Sequence, residues 1–364
     1  MKKILIVGNN DIGLYNFRAE LIQMLLELGF KVDFTVPYGV KVELLKNMGA
    51  IYHSIELNRR GTSIKEDFHS LKSYKKLMKK VKPNVVLTYT IKPNIYAGLA
   101  AKSLDIPCIS TITGLGTALQ GQGLKTILLK RLYRCGIRKC KFIFFQNKEN
   151  KKFFLENRMV YENNLVQVAG SGVNIEFYEP QREAHEGVCF LYIARVMRDK
   201  GIGEYLEAAK AVKKRHPKAR FQILGYYDED CYKIQVQQMV AEGILEYLGV
   251  SNDTRIQMSQ ADCIVLPSYH EGMSNVLLEG ASFGLPLITS NIHGCKEAVE
   301  EGVTGFLCEP KDVQSLELAL EKFLLLSEEE RTEMGRLGRK RMIEKFDRKI
   351  VMNQYLKCIQ SLIK

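Results

Sequence analysis

Residues 267–286 read Pro-Ser-Tyr-His-Glu-Gly-Met-Ser-Asn-Val-Leu-Leu-Glu-Gly-Ala-Ser-Phe-Gly-Leu-Pro, and what flanks them decides the fold. An apolar run at 261–267 leads in, and a helical stretch over about 275–283 and a short apolar run at 286–290 lead out. Strand, turn, helix and strand in that order form the repeating unit of a parallel sheet. Glu271 precedes a turn at Gly272, and Glu279 lies eight residues later, about two helical turns along by position. Such a junction offers free backbone N–H groups at Met273, Ser274 and Asn275, where donors and helix dipole together would stabilise a phosphate. A carboxylate deeper on the helix can accept hydrogen bonds from two neighbouring ribose hydroxyls. Taken alone, Glu279 reads better as a glutamate on a solvated helix.

The same rhythm extends in both directions. Apolar runs at 188–196 and 221–225 enclose an amphipathic segment at 202–215. The first half carries strand-like runs at 4–8, 32–36, 85–88, 108–111 and 142–146, with helical stretches at 14–28 and 94–104. The periodicity breaks near 178–187, at Pro180 and a polar cluster. The predicted organisation is α/β, with one Rossmann-like doubly wound domain over 1–180 and another over 181–345. A last helix over 346–364 would cross back to the first. Ligands in such sheets bind beyond the carboxyl ends of the strands.

Three more segments carry candidate chemistry. Residues 194–201, Ala-Arg-Val-Met-Arg-Asp-Lys-Gly, follow a predicted strand, and the cations Arg195 and Lys200 on one loop suit a diphosphate. Residues 170–177 hold Gly172, Val173 and Phe177 at the predicted domain junction. Asn10 and Gly13 lie on the loop after the first strand, and Thr113, Gly114, Gly116 and Thr117 on the loop after another, where glycine lets backbone approach a ligand closely. A tight turn explains the first of these loops equally well.

With its partner segments, the stretch at 267–286 resembles glycosyltransferase family 4. The family's E-x7-E signature stands here as Glu271 and Glu279, and its trailing G-x-P as Gly284 to Pro286. The resemblance covers nearly the whole chain and implies a retaining GT-B enzyme, with two Rossmann-like domains facing across a cleft. It implies that Glu279 holds the donor ribose, that Glu271 sits at the donor sugar, and that Gly272, Met273, Ser274 and Asn275 cradle the diphosphate. Arg195 and Lys200 would neutralise charge on the departing nucleotide, making them catalytic with Glu271. Gly13 would approach the donor phosphates, while Asn10, Thr113 and Gly114 would line the acceptor side. Many relatives carry a histidine where this chain has Ile112 and Thr113, so no general base is assigned. Residues 89–96 and the Gly114 loop are similar to a subgroup that builds bacterial surface glycans on polyprenyl diphosphate carriers. That likeness implies a UDP-sugar donor, a lipid-linked or oligosaccharide acceptor, and an α linkage made without a cofactor.

Composition sets the remaining expectations. Of the 364 residues, 1–180 carry 28 Lys and Arg against 14 Asp and Glu, whereas 181–364 carry 25 against 27. The positive field therefore belongs to the first half and would attract an anionic surface, whether phospholipid, lipid pyrophosphate or nucleic acid, with ordinary solubilising lysines as the plainer alternative. Residues 124–141 add seven cations to Leu124, Ile127, Leu128, Arg131 and Leu132, which a helix would place broadly together; Lys75, Lys76, Lys79, Lys80 and Lys82 form a second patch. The first of these segments reads equally as a core-facing helix with a basic outer face. Nine cysteines form no C-x-x-C pair, and no run approaches the roughly 18 apolar residues of a membrane span. A cytoplasmic protein held peripherally at the inner face of the membrane is expected. Asp228, Glu229 and Asp230 read as a solvated turn and no metal site is predicted. The rival readings are a basic nucleic-acid- or polyanion-binding protein and a GT-B nucleotide-sugar epimerase. Nucleic acid is not expected as a partner, because recognition motifs are absent and the second half supplies no positive field.

Overall fold

The computed structural model describes residues 1–55, 64–115, 119, 121 and 123–363. The chain divides into two compact units, Met1–Ser171 with Val351–Lys364, and Gly172–Ile350. The boundary predicted at 180 falls inside the second unit. The Val173 N–H donates to Phe346 O, and the Arg348 N–H to Val173 O, both at 2.9 Å, so the chain from Gly172 onward is tied to residues near 347.

The first unit is a seven-stranded parallel sheet in the order β3-β2-β1-β4-β5-β6-β7. Its strands are β1 Lys3–Val7, β2 Lys31–Thr35, β3 Ile51–Tyr52, β4 Val85–Tyr89, β5 Cys108–Ile112, β6 Phe142–Phe145 and β7 Leu165–Gln167. Every residue of β4 and β5 is buried, as parallel strands covered on both faces require. The period of two sorts side chains between two cores. Ile4 and Ile6 meet helix Asp11–Glu27 through Leu14, Leu21, Ile22 and Leu25, while Leu5 and Val7 share a cluster with Tyr74, Leu77, Ile95 and Tyr133 from the opposite helices.

Helix Arg348–Leu362 packs on the first of these faces through Val351, Tyr355 and Ile359. The Tyr355 ring stacks on Phe144 at 4.1 Å and 5°, and its hydroxyl shares a 2.6 Å hydrogen bond with that of Thr111. The buried Arg18 guanidinium lies 4.5 Å from the Tyr89 ring centre and 5.7 Å from that of Tyr355. Tyr355→Ala is therefore expected to cost roughly 3–5 kcal/mol, seen as a lower urea midpoint. An unchanged midpoint would mean that the helix is not part of this core.

Helix Leu124–Ile137 packs against helix Ile91–Ser103 at backbone contact: a Cβ on Gly98 would lie 2.6 Å from Gly136 O. Thr126, Tyr133, Gly136 and Ile137 are its buried face. Of the apolar residues predicted to lie together, Leu132 turns to the core, joined there by Leu129, while Leu124, Ile127 and Leu128 stay 85, 48 and 54 % exposed.

The second unit is a six-stranded parallel sheet in the order β10-β9-β8-β11-β12-β13. Its strands are β8 Cys189–Ile193, β9 Arg220–Leu224, β10 Glu246–Tyr247, β11 Cys263–Leu266, β12 Leu287–Ser290 and β13 Gly305–Cys308. Strand order reverses between β8 and β11, the place where a doubly wound sheet opens a crevice at its carboxyl edge.

Candidate functional site

Two loops leave the sheet at that reversal. The one after β8 carries Arg195 and Lys200 into helix Ile202–Arg215, and the one after β11 carries Glu271 into helix Asn275–Ser282. Gly201 brings them together. Its φ of 70° is left-handed, and a Cβ there would sit 2.0 Å from Pro267 O, so the loops meet backbone to backbone. Across this contact Lys200 Nζ lies 2.5 Å from Glu271 Oε1, and Ser268 Oγ donates to the same oxygen at 3.0 Å. The two charged side chains are 18 and 13 % exposed, sheltered yet reachable from solvent. The buried Tyr192 hydroxyl closes the first loop by donating to Arg195 O at 3.2 Å and to Lys200 O at 3.3 Å.

Arg195 turns instead to Asp228, with Nη1 to Oδ2 at 2.6 Å, and the Arg198 N–H donates to Glu229 Oε2 at 3.0 Å. The acidic segment is the expected solvent-facing turn, and Asp228 and Glu229 in it also brace the cationic loop. Its partners lie about thirty residues away in sequence, where turn chemistry gives no signal. Among the described residues no three His, Cys, Asp or Glu side chains gather as metal ligands.

The helix junction after Glu271 corrects the expectation of three free amides. The Ser274 N–H donates to Gly294 O at 2.8 Å and is spent. Met273 and Asn275 N–H have no acceptor among the described residues, and the Ser274 side chain does not cap the helix. Asn275 Oδ1 is buried and unpartnered among the described residues. Gly294, which the sequence did not single out, has φ 89°, and a Cβ there would lie 2.6 Å from Glu271 O. Its loop fixes both Glu271 and Ser274 from behind.

In the first unit the loop after β1 also differs from expectation. Asn10 is the N-cap of helix Asp11–Glu27, and its Oδ1 accepts the Gly13 N–H at 2.5 Å. Gly13 therefore lies inside the helix with its amide occupied, and a Cβ there would sit 2.8 Å from that oxygen. Thr113 and Gly114 follow β5, and a Cβ on Gly114 would meet nothing within 4 Å. Gly116 and Thr117 lie outside the described residues. Thr90, after β4 at this sheet's own order reversal, has φ 72° and a buried, unpartnered Oγ1 among the described residues. Left-handed backbone at a non-glycine residue costs energy, and only the structure reveals it.

Residues 174–341 match a family model described as "Glycosyl transferases group 1", and residues 3–147 one described as "Glycosyl transferase 4-like". The chain is 30 % identical to the UDP-Gal:alpha-D-GlcNAc-diphosphoundecaprenol alpha-1,3-galactosyltransferase of Escherichia coli, over 72 % of this chain and 71 % of that one. The chain belongs to glycosyltransferase family 4. It is also 27 % identical to the N,N'-diacetylbacillosaminyl-diphospho-undecaprenol alpha-1,3-N-acetylgalactosaminyltransferase of Campylobacter jejuni, over 96 % of both chains. A glycosyltransferase from Rickettsia africae matches in structure with a TM-score of 0.83 at 18 % identity, over 100 % of this chain and 99 % of that one. The fold is GT-B.

In this family 4 glycosyltransferase the two signature glutamates occupy different surroundings. Glu271 is ion-paired on its loop, whereas Glu279 sits half-buried on its helix. Burial raises the pKa of Glu279 above the ordinary carboxylate range, with the nearby Tyr178 hydroxyl and the Arg348 charge pulling it back. A carboxyl that titrates higher in the folded state penalises folding when ionised, and the penalty disappears once pH falls below the unfolded value. Glu279→Gln is therefore expected to melt above the native protein at neutral pH. The gap should close as acid takes the native carboxyl through its raised pKa. A gap independent of pH would assign the effect to packing.

Proposed function

We propose that this glycosyltransferase moves a hexose or N-acetylhexosamine from a UDP-sugar to a polyprenyl-diphosphate-linked or growing bacterial surface glycan. The anomeric configuration is retained, an α linkage forms, and no metal takes part. The observation that carries the donor site is the Lys200–Glu271 pair at the β8/β11 reversal, where a cation, a carboxylate and a helix N-terminus converge. Support for the donor and acceptor classes comes from the two named relatives, both alpha-1,3-transferases acting on diphosphoundecaprenol-linked sugars, one with UDP-Gal.

In this reading the diphosphate lies against Lys200, Arg195, Gly272 and the Met273 and Asn275 amides. Glu279 accepts from the ribose hydroxyls, and Glu271 orients both the sugar and the Lys200 ammonium. The bond from the anomeric carbon to the diphosphate oxygen breaks, and the charge left on UDP is met by Lys200 and Arg195. The acceptor hydroxyl attacks on the same face and gives its proton to the departing phosphate. Asn10, Thr113 and Gly114 take part in holding the acceptor, and Gly13 acts only by permitting the Asn10 cap. The enzyme rests at the inner face of the membrane, where exposed Leu124, Ile127 and Leu128 beside Lys125 and Arg131 meet anionic lipid. No described helix is long and apolar enough to cross a membrane.

A thermal-shift screen of nucleoside diphosphates and their sugars tests the donor site without an acceptor, because a ligand of the folded state raises Tm by mass action. Selective stabilisation by UDP and one UDP-sugar is expected. Folded protein that responds to no nucleotide would remove the donor assignment.

A further inference from the structure

The first unit holds a cavity of about 570 Å³ that the donor chemistry does not use. It lies between the end of β3 and helix Ile64–Val81, and its lining includes His53, Ser73, Lys72, Lys76 and Lys80. The three lysines fall at i, i+4 and i+8, so they share one helix face and span about 12 Å along the axis. Lys75 and Lys79, on the same helix, do not line the cavity.

No acidic side chain among the described residues pairs with Lys72, Lys76 or Lys80, and between Phe68 and Lys148 the single acidic residue in the sequence is Asp105. On the same cavity, His53 Nε2 lies 2.7 Å from the buried Asp33 Oδ1, which fixes the imidazole with Nε2 toward the carboxylate. Tyr52 is spent, its hydroxyl donating to Val36 O at 3.1 Å. Three ammonium groups with no acidic partner among the described residues, along a concave wall with the Ser73 hydroxyl, match the charge and donor demand of linked phosphates. We propose that this cavity is a second anion site, separate from the β8/β11 loops, that binds the phosphate or diphosphate group of a ligand. Two sources share that chemistry, a soluble diphosphate and the headgroup of an anionic lipid. The site does not depend on whether the second unit binds UDP.

Two triple variants of the full chain test it, Lys72→Gln with Lys76→Gln and Lys80→Gln, and Lys75→Gln with Lys79→Gln and Lys82→Gln. Both remove the same charge from the same stretch, but only the first strips the cavity. Inorganic pyrophosphate is titrated by calorimetry with saturating UDP present, and flotation with phosphatidylglycerol-containing vesicles is compared with phosphatidylcholine alone. At least tenfold weaker pyrophosphate binding in the cavity variant, with the control within about twofold of the native protein, supports the site with a soluble source. Selective loss of anionic-vesicle recovery without pyrophosphate binding supports it with a headgroup source. Equal losses in both variants, or none in either assay, overturn it in favour of a diffuse positive field. Melting temperatures establish that both variants fold, and Lys76→Gln alone replaces the cavity triple should that variant unfold.

Discussion

Lys200→Ala is expected to lower kcat for sugar transfer by about 10²–10³-fold while the protein stays folded. The ammonium sits 2.5 Å from Glu271 on a loop closed by the Tyr192 hydroxyl, so its position is set before any ligand arrives. Removing it deletes a charge aimed at the leaving diphosphate and leaves the Glu271 carboxylate unneutralised beside that group. Lys200→Arg should rescue little, because a planar guanidinium cannot occupy the point that an ammonium fills between Glu271 and a phosphate. Initial rates with the UDP-sugar chosen by thermal shift decide it. A folded Lys200→Ala enzyme with near-native kcat would remove Lys200 from the chemistry. Glu279→Ala should likewise abolish most transfer, first through a raised donor KM.

Gly201→Ala is the second large effect. The substitution meets two obstacles, a left-handed φ of 70° and a Cβ 2.0 Å from Pro267 O. The first costs about 1–2 kcal/mol, and the second forces apart the loops that bear Lys200 and Glu271. Gly243 supplies the control, since its φ of 69° is nearly the same while a Cβ there meets nothing within 4 Å. Gly243→Ala should lose about 1 kcal/mol and keep transfer activity. Gly201→Ala should lose more than about 2 kcal/mol and most of its activity, in line with the costs of backbone strain and overpacking. Equal urea midpoints for the two variants would show that the loops are not held by this contact.

The parts of the fold that sequence made visible are those with long apolar runs. The buried strands β1, β4, β5, β8 and β11 announce themselves because both faces need apolar side chains. The edge strands β3 and β10, two residues each, leave no periodic trace. The unit boundary was misplaced because Pro180 is a strong local signal, whereas the pairing of Val173 with Phe346 and Arg348 acts across more than 170 residues. At the site, the signature glutamates and the Arg195–Lys200 loop were readable from residue types in order. The brace from Asp228, the backing by Gly294 and the strain at Thr90 were not, because each depends on what tertiary packing brings alongside. Gly13 was misread for a related reason: one N-cap moved the helix start upstream and occupied the amide that a loop would have left open.

The first unit is discontinuous in sequence, and this bears on how the protein is made. Residues 1–171 leave the ribosome with the Phe144 and Tyr89 part of one sheet face lacking its cover, because Tyr355 and the rest of helix Arg348–Leu362 are made last. At about 5–20 residues per second, the second unit takes some ten to forty seconds to emerge before that helix can arrive. For that interval the nascent first unit is an incomplete body with an apolar wall. Its yield in the cell is then expected to respond to holding chaperones and to the pace of translation as well as to the stability of the finished fold.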